Sequence, residues 1–349
     1  MPLTIKPLEA GRGAAWDAFV AQHPRATFFH RAGWARAIEQ GFGHTTHFLL
    51  AERDGAVVGI LPLGRVKTRL FGHSLISVPF CVHGGPLGDE PATEAALLAE
   101  AARLMHNTAA PLLELRLLHD LDPASFDADA WRARDDLYVT FRKRFGASDE
   151  TNLKAIPRKQ RAMVRKGIDR GLTSEVSRDA TGLHRIYAES VRNLGTPVFP
   201  RRWFAALLDT FGDDAEVVTI HDHGTPIAAV MNFTFRDEIL PYYGGGTAAA
   251  RQAYANDFMY WEVMRRAAAR GLTLFDFGRS KQGTGAFAFK KNWGFEPTPI
   301  VHRYLLAPGV AIPDLNPLNP KYRLFIAAWK KLPLPVANLL GPPIVRGLG

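Results

Sequence analysis

One order of elements occurs twice along the chain, and it restricts the fold more than any single residue does. At 47–118 the apolar run His47-Phe48-Leu49-Leu50-Ala51-Glu52 meets an Asp54-Gly55 turn and a second apolar run, Val57 to Leu63. A strand from Leu75 to Val82 follows, closing on Gly84-Gly85, then an Ala- and Leu-rich helix over 91–108 and a strand from Leu112 to Leu118. At 215–277 the series returns: Ala215 to Ile220, a turn at Asp222-His223-Gly224, Ile227 to Phe233, then Leu240 to Tyr243 closing on Gly244-Gly245-Gly246. Phe258, Trp261, Met264 and Ala268 then recur on one helical face, and Leu274 to Phe277 reads as a strand. Apolar runs around an Asp-Gly turn signal a hairpin. A hairpin feeding strand–helix–strand gives a mixed sheet with helices on its faces. The order therefore predicts two related α/β domains, each a mixed sheet flanked by helices.

A chain of 349 residues has room for two such domains. The polar stretch Phe145 to Thr151 separates them, which gives an N-terminal domain over 1–148, a C-terminal domain over 149–312 and a helical, proline-rich tail over 313–349. Helical pieces are expected within 13–42 around His23-Pro24-Arg25, and again at 158–170, 180–194 and 200–211, with a short strand from Thr173 to Ser177. Cys81 is the sole cysteine, which excludes an intramolecular disulfide, and the histidines show no zinc-ligand spacing, so no metal is expected. No export signal or spanning helix is read, and the expected location is cytoplasmic. Trp329, Lys330 and Lys331 followed by proline-rich apolar sequence make the tail a candidate for peripheral contact with the inner membrane face, against docking on the body of the protein.

The formal charge is +9, which favours anionic partners. The excess is concentrated: Lys154, Arg158, Lys159, Arg161, Arg165, Lys166 and Arg170 stand against the single acid Asp169. Helical spacing puts Arg158, Arg161 and Arg165 on one face, where their guanidinium forks suit the phosphate oxygens of a small or lipid-linked substrate or of tRNA. A solvated helix face is the plain alternative.

The stretches Tyr242 to Gly246, Asn256 to Trp261, Phe275 to Lys281 and Phe289-Lys290-Lys291-Asn292-Trp293-Gly294-Phe295 resemble the FemAB-like proteins, more narrowly those associated with exosortase and exopolysaccharide systems. Pro62-Leu63, Ser77-Val78-Pro79-Phe80, Gly195-Thr196-Pro197 and Trp329 to Pro333 agree with that resemblance, which spans nearly the whole chain. It implies tandem acetyltransferase-type (GNAT-like) domains. Fem relatives transfer an amino acid from aminoacyl-tRNA to a peptidoglycan precursor. This sequence lacks the long charged helical insertion that some of them carry. The resemblance fixes no cofactor, and the donor is either aminoacyl-tRNA or acyl-CoA. Acetyltransferases cradle the CoA pyrophosphate in a glycine loop before a helix; here Arg251-Gln252-Ala253-Tyr254-Ala255-Asn256 has Tyr254 and Asn256 at the glycine positions. Asp257 suits the N-cap of the following helix.

Amide formation needs a neutral amine, donors for an oxyanion and a proton for the leaving group. The resemblance implies that Lys290, a lysine after an aromatic residue, handles the donor, with Lys291 beside it; a solvated surface pair is the alternative. Asp276, at a strand end, is a candidate proton relay, and Arg279 three residues on a candidate ion-pair partner and substrate ligand. Tyr243 offers a hydroxyl at the mouth of a cleft, and Asn256 a polar group at the phosphate loop. The expected function is an acyl- or aminoacyltransferase acting on an amine of a cell-envelope or exopolysaccharide precursor. The alternatives are a non-catalytic protein that binds anionic polymer or lipid on a degenerate form of this fold, and an acyl-CoA-dependent N-acetyltransferase.

Overall fold

The computed structural model describes residues 2–69, 71–313 and 320–349. The chain forms two compact units. Unit 1 takes the chain up to Leu137, the segment from Pro299 and the final Arg346–Gly349. Unit 2 takes Tyr138–Thr298 and the C-terminal helical segment up to Val345.

Unit 1 holds two sheets. Four strands, β1 (Thr4–Pro7), β3 (Leu49–Arg53), β4 (Ala56–Leu61) and β7 (Leu87–Gly88), pair in that order. The other sheet orders β2 (Thr45–Thr46), β5 (Gly64–Thr68), β6 (Gly72–Ser77), β8 (Leu112–Leu117), β18 (Val301–Leu306) and β9 (Trp131–Arg134). Helices α1 (Gly13–Gln22) and α2 (Gly33–Phe42) flank the His23-Pro24-Arg25 break. Between β6 and β8, which are parallel, runs α3 (Pro91–Asn107). Proline at its first turn costs no hydrogen bond, and Leu97, Leu98, Ala101 and Met105 bury one stripe.

Strand β18 comes from far beyond the rest of unit 1 in sequence, yet it lies between β8 and β9. Its His302 Nδ1 donates to Glu114 Oε1 of β8 at 2.9 Å, and Arg116 Nε donates to the same carboxylate at 3.0 Å. These partners hold the largely enclosed Glu114 ionised, with its pKa far below the ordinary range despite desolvation.

Unit 2 is built on one sheet: β11 (Thr173–Ser177), β12 (Ala215–Asp222), β13 (Thr225–Phe235), β14 (Glu238–Gly246), β15 (Leu274–Asp276), β10 (Tyr138–Arg144) and β16 (Ser280–Lys281), with β17 (Pro297–Pro299) also on β10. One face carries α4 (Asp149–Ala155), α5 (Arg158–Asp169), α9 (Ala255–Ala269) and α10 (Gly285–Asn292) over a core of Phe141, Phe275, Phe277, Trp293 and Phe295. The other carries α6 (Ala180–Leu194) and α7 (Arg201–Phe211). Asp179 caps α6 by accepting from the backbone N–H of Thr181 and Gly182, both at 2.9 Å, and Gly195 ends it in the left-handed region. Helices α11 (Pro320–Lys331) and α12 (Leu334–Val345) pack on α6.

The glycine run of β14 is a packing device. A Cβ on Gly245 would stand 2.5 Å from Ser190 Cβ of α6, and one on Gly246 would stand 2.6 Å from Ala250 of the short helix α8 (Ala248–Gln252). Both helices therefore come closer to β14 than any side chain permits.

The parallel strand–helix–strand units β6–α3–β8 and β14–α9–β15 match the repeated order read from the sequence. The units themselves divide differently from the expected 148/149 and 312/313 boundaries. Strand β10, expected in the first half, hydrogen-bonds to β15 and β16 of unit 2, and β18, not read as a strand, belongs to unit 1. The division at 312/313 abuts residues 314–319, which lie outside the described residues.

Candidate active site

The site grows from the end of β15. Strands β14 and β15 are parallel over only two positions, Glu238↔Leu274 and Ile239↔Phe275. Beyond Ile239, β14 continues to Gly246 bonded to β13 alone among the described residues. Past Asp276 the chain turns at Gly278, whose φ of +68° lies in the left-handed region, and crosses β10 again as β16. Thr284 then caps α10, accepting from Phe287 N–H at 3.3 Å while donating to Lys281 O at 2.8 Å.

Within α10, helical spacing separates the two lysines. Phe287, Lys290 and Trp293 recur every three residues and turn inward, where Phe287 meets the Phe141 ring and Trp293 meets Phe277. Lys291 is exposed, its ammonium 5.9 Å from the Phe287 centroid. Lys290 is half-buried as a side chain, but its Nζ is enclosed: it donates to Gly278 O and Arg279 O, both at 3.0 Å, and lies 5.6 and 5.7 Å from the Phe141 and Phe277 centroids. Desolvation brings its pKa down to about 7, against the opposing pull of Asp276 and with a smaller push from Arg279. A solvated pair thus describes Lys291 and not Lys290.

Asp276 is 2% exposed. Its Oδ1 accepts from Gly278 N–H at 2.7 Å and from Thr140 Oγ1 at 3.4 Å. Its cationic neighbour is Arg142, with Nε 3.4 Å from Oδ2, and not Arg279 as the three-residue spacing suggested. The left-handed turn at Gly278 carries Arg279 away, so that its guanidinium stacks 4.7 Å above the Tyr138 ring. Arg142 also pairs with the buried Glu238 of β14. One guanidinium therefore serves two buried carboxylates. Desolvation raises the pKa of Asp276, opposed by Arg142, by the Gly278 N–H and by Lys290. Desolvation, reinforced by the charge of Asp276, lifts Glu238 to about 7.

Sequence reasoning missed Arg142 and Glu238. Arg142 is visible only as part of a Thr140, Arg142, Arg144 alternation on one strand face, and its register opposite Asp276 comes from sheet pairing across the domain.

A folded-state pKa above the ordinary glutamate value means that the folded chain binds the extra proton between about pH 4.5 and 7. The associated stability is complete below that window and is lost as pH rises through it. Glu238→Gln is expected to remove this slope, raising stability at pH 8 relative to the parent by up to about 3 kcal/mol and little at pH 4. Urea denaturation at the two pH values measures it; parallel pH dependence in both proteins would contradict it.

The other sequence candidates fall elsewhere in unit 2. The Tyr243 hydroxyl accepts from Trp203 Nε1 at 3.0 Å, and its ring packs with Tyr187, Phe199 and Phe204 in the α6–α7 layer, whereas Lys290 packs on Phe141 and Phe277. Asn256 sits in the first turn of α9, its Oδ1 buried without a hydrogen-bond partner, where a Cβ on Gly246 would meet it at 2.7 Å. Asp257 is not the cap. It lies inside α9 and accepts from Gln160 of α5 and, at 3.1 Å, from Trp293 Nε1, while burial raises its pKa. The helix begins instead at Tyr254, whose φ of 58° is left-handed.

The segment expected to hold a pyrophosphate forms a short helix, α8 (Ala248–Gln252). The N–H groups of Ala250, Ala253 and Tyr254 already donate to Thr247 O, Ala249 O and Arg251 O. On α5, which packs on α9 through Gly167 and Phe258, Arg158 and Arg165 are exposed with no carboxylate partner among the described residues, and Arg161 donates to Lys154 O at 3.1 Å. Arg170 is engaged by Asp222 through both oxygens. The described residues contain no cluster of His, Cys, Asp and Glu able to hold a metal.

Residues 154–291 match the family described as acetyltransferase (GNAT) domain, a stretch that holds α5, Asp276 and Lys290. Among solved structures, FemX superposes with a TM-score of 0.70 at 16% identity, covering 87% of this chain and 97% of its own. The L-PGS of Bacillus licheniformis gives 0.57 at 13% identity, covering 98% and 99%. A tandem GNAT protein from the clavulanic acid biosynthesis pathway gives 0.56 at 14% identity, covering 89% and 100%. No curated protein sequence matches the chain. The chain thus has the tandem acetyltransferase-type fold: mixed sheets flanked by helices, twice over.

Proposed function

Starting from that tandem fold, we propose that the chain is an acyl- or aminoacyltransferase that forms an amide on an amine of an anionic cell-envelope or exopolysaccharide precursor, with its chemistry in unit 2. The observation that carries this reading is the placement of Lys290 of α10, whose Nζ is held by Gly278 O and Arg279 O just past the end of β15 and between the Phe141 and Phe277 rings, where burial lowers its pKa to about 7. Such perturbed groups concentrate where proton transfer is needed.

The geometry gives the lysine a defined task. Two of its three N–H positions are committed to Gly278 O and Arg279 O. The third holds a proton or, in the neutral amine, a lone pair. As the acceptor amine attacks the donor's carbonyl carbon, a C–N bond forms and the nitrogen must shed a proton, which the lone pair takes. As the C–O or C–S bond of the donor breaks, the same proton goes to the leaving oxygen or sulfur. A pKa near the working pH suits both directions. Asp276 and Glu238, linked through Arg142, set the charge around the lysine. Lys291, exposed beside Lys290 on α10, is kept as an outer contact of the substrate, and Arg279 as a cation at the lip of the site; Tyr243, buried in the α6–α7 layer, is given no part in the transfer.

Two features favour an aminoacyl ester over acyl-CoA. In the crossover from β14 to α9 the N–H groups of Ala250, Ala253 and Tyr254 are taken by the chain's own carbonyls, and Tyr254 and Asn256 stand where a phosphate-binding loop has glycines. The unpaired arginines of α5, Arg158 and Arg165, offer phosphate contacts of the kind a tRNA acceptor arm needs.

In a donor-turnover assay with pooled aminoacyl-tRNA and, separately, acetyl-CoA, kcat/KM is expected to rise with pH through about 7 and then level as Lys290 loses its proton. Release of the acyl group from neither donor, with amino-sugar nucleotides or lipid-linked precursors as acceptors, would overturn the assignment and leave the binding-protein alternative. Turnover of acetyl-CoA alone would replace the donor.

A further inference from the structure

Helix α12 is apolar all round and yet buried on one side only. Residues 332–345 hold no charged side chain and one polar residue, Asn338. A helix apolar on every side is normally buried on every side. The inner face of α12 obeys: Ala337, Gly341 and Val345 are buried, and Gly341 lies against the Val198 backbone. The outer face does not. Val336, Leu339 and Leu340 recur at helical spacing and are 39%, 74% and 45% exposed. Preceding α11 repeats the pattern, with Ile326 against Gly195 and Trp329 buried, while Leu324 is 84% and Phe325 44% exposed. Trp329 is therefore part of the docked side and not an interfacial anchor; Phe325, stacked on it, is the aromatic that faces outward.

Charge selects the occupant of this face. Residues 320–345 contain Lys321, Arg323, Lys330 and Lys331 and no Asp or Glu. Arg323, Lys330 and Lys331 are exposed, with no carboxylate partner among the described residues. A second copy meeting this surface by a twofold axis would set uncompensated cations against their own equivalents. An anionic lipid surface meets both requirements at once, with acyl chains for the leucines and phosphates for the cations. Each helix is twelve residues, about 18 Å, too short to span a bilayer, and no described helix is long and apolar enough to cross one. We propose that α11 and α12 seat on an anionic phospholipid surface, with Leu324, Phe325, Leu339 and Leu340 at the acyl boundary and Arg323, Lys330 and Lys331 at the headgroups.

The test is flotation of the full chain with phosphatidylcholine vesicles containing about 30% phosphatidylglycerol, beside vesicles of phosphatidylcholine alone. The chain is expected to float with the anionic vesicles at low salt and much less with the neutral ones. Lys330→Ala with Lys331→Ala is expected to weaken partitioning about thirtyfold, at about fivefold per cation. Leu339→Asp with Leu340→Asp is expected to abolish it; both positions are exposed, and unchanged thermal unfolding confirms the fold. Failure of the parent chain to float with anionic vesicles would overturn the proposal. So would a sedimenting dimer that Leu339→Asp dissociates, which would make a second copy the occupant. No donor or acceptor enters this experiment, so its outcome is independent of the role given to Lys290.

Discussion

Replacing Lys290 with methionine is expected to lower kcat/KM for acyl transfer by about 10²–10⁴ while leaving the chain folded. Methionine keeps most of the unbranched stem between the Phe141 and Phe277 rings, so the packing of α10 survives. Two hydrogen bonds, to Gly278 O and Arg279 O, are lost, which costs about 1–3 kcal/mol. Removal of an amine that burial has already discharged down to about pH 7 offsets part of that cost. The loss should appear in kcat with KM little changed, because the lysine acts on the proton in flight and not on ground-state binding. Lys290→Arg separates two chemistries. Arginine keeps a charge and can reach the same carbonyls, but it has no lone pair at neutral pH. If the lysine shuttles a proton, the arginine variant stays as impaired as the methionine one. Recovery in the arginine variant would identify a fixed cation instead, and full activity in the methionine variant would remove Lys290 from the chemistry altogether.

Trp293→Ala is the substitution expected to destabilise unit 2 most among those that touch the site, by about 3–5 kcal/mol. The indole is 1% exposed and packs against Tyr260, Phe277 and Phe289. It is also a wall of a cleft of about 260 Å³ lined by Lys143, Phe145, Ile156 and Phe295, so truncation enlarges an existing space that neighbours cannot collapse to fill. A second cost is electrostatic. Trp293 Nε1 is one of two side-chain donors to Asp257, whose pKa burial already raises. With the indole gone, that carboxylate climbs further. A carboxylate raised on folding costs stability as pH rises above its ordinary pKa, so the deficit should be larger at pH 7 than at pH 4. Urea midpoints at the two pH values test both parts. A loss under about 1 kcal/mol would show that α10 is held by other contacts.

Elements whose signals are local were legible in the sequence. The boundaries of α5, α6 and β11 follow from Gly171, Asp179, Gly195 and the alternation between them. The two strand–helix–strand repeats followed from hairpin turns and helical faces. What could not be read are features set by pairing across the chain. Arg142 enters the site because β10 lies antiparallel to β15 in a register that puts it opposite Asp276. Glu238 enters because β14 lies parallel to β15. The sequence around Lys290 fits a strand or a helix, since Phe287 and Phe289 alternate while Phe287, Lys290 and Trp293 keep helical spacing; the Thr284 cap decides it. Burial, which is decided by the surrounding fold, separates Lys290 from Lys291. The apolar sequence of the C-terminal segment was visible, but which of its aromatics faces outward was not.

The placement of β18 has a consequence for how the molecule is made. A ribosome releases β8 and β9 early, yet the strand that joins them, with His302 to meet Glu114, follows only after the Tyr138–Thr298 segment of unit 2 has been translated. At ordinary elongation rates the delay is roughly ten to thirty seconds. For that interval the nascent chain carries a sheet with its middle missing and a buried-type glutamate without its histidine. A chaperone that shields open strand edges is most useful to it then, and a chain stopped before Val301 leaves unit 1 without the strand between β8 and β9 although the whole sheet of unit 2 up to β16 has been made.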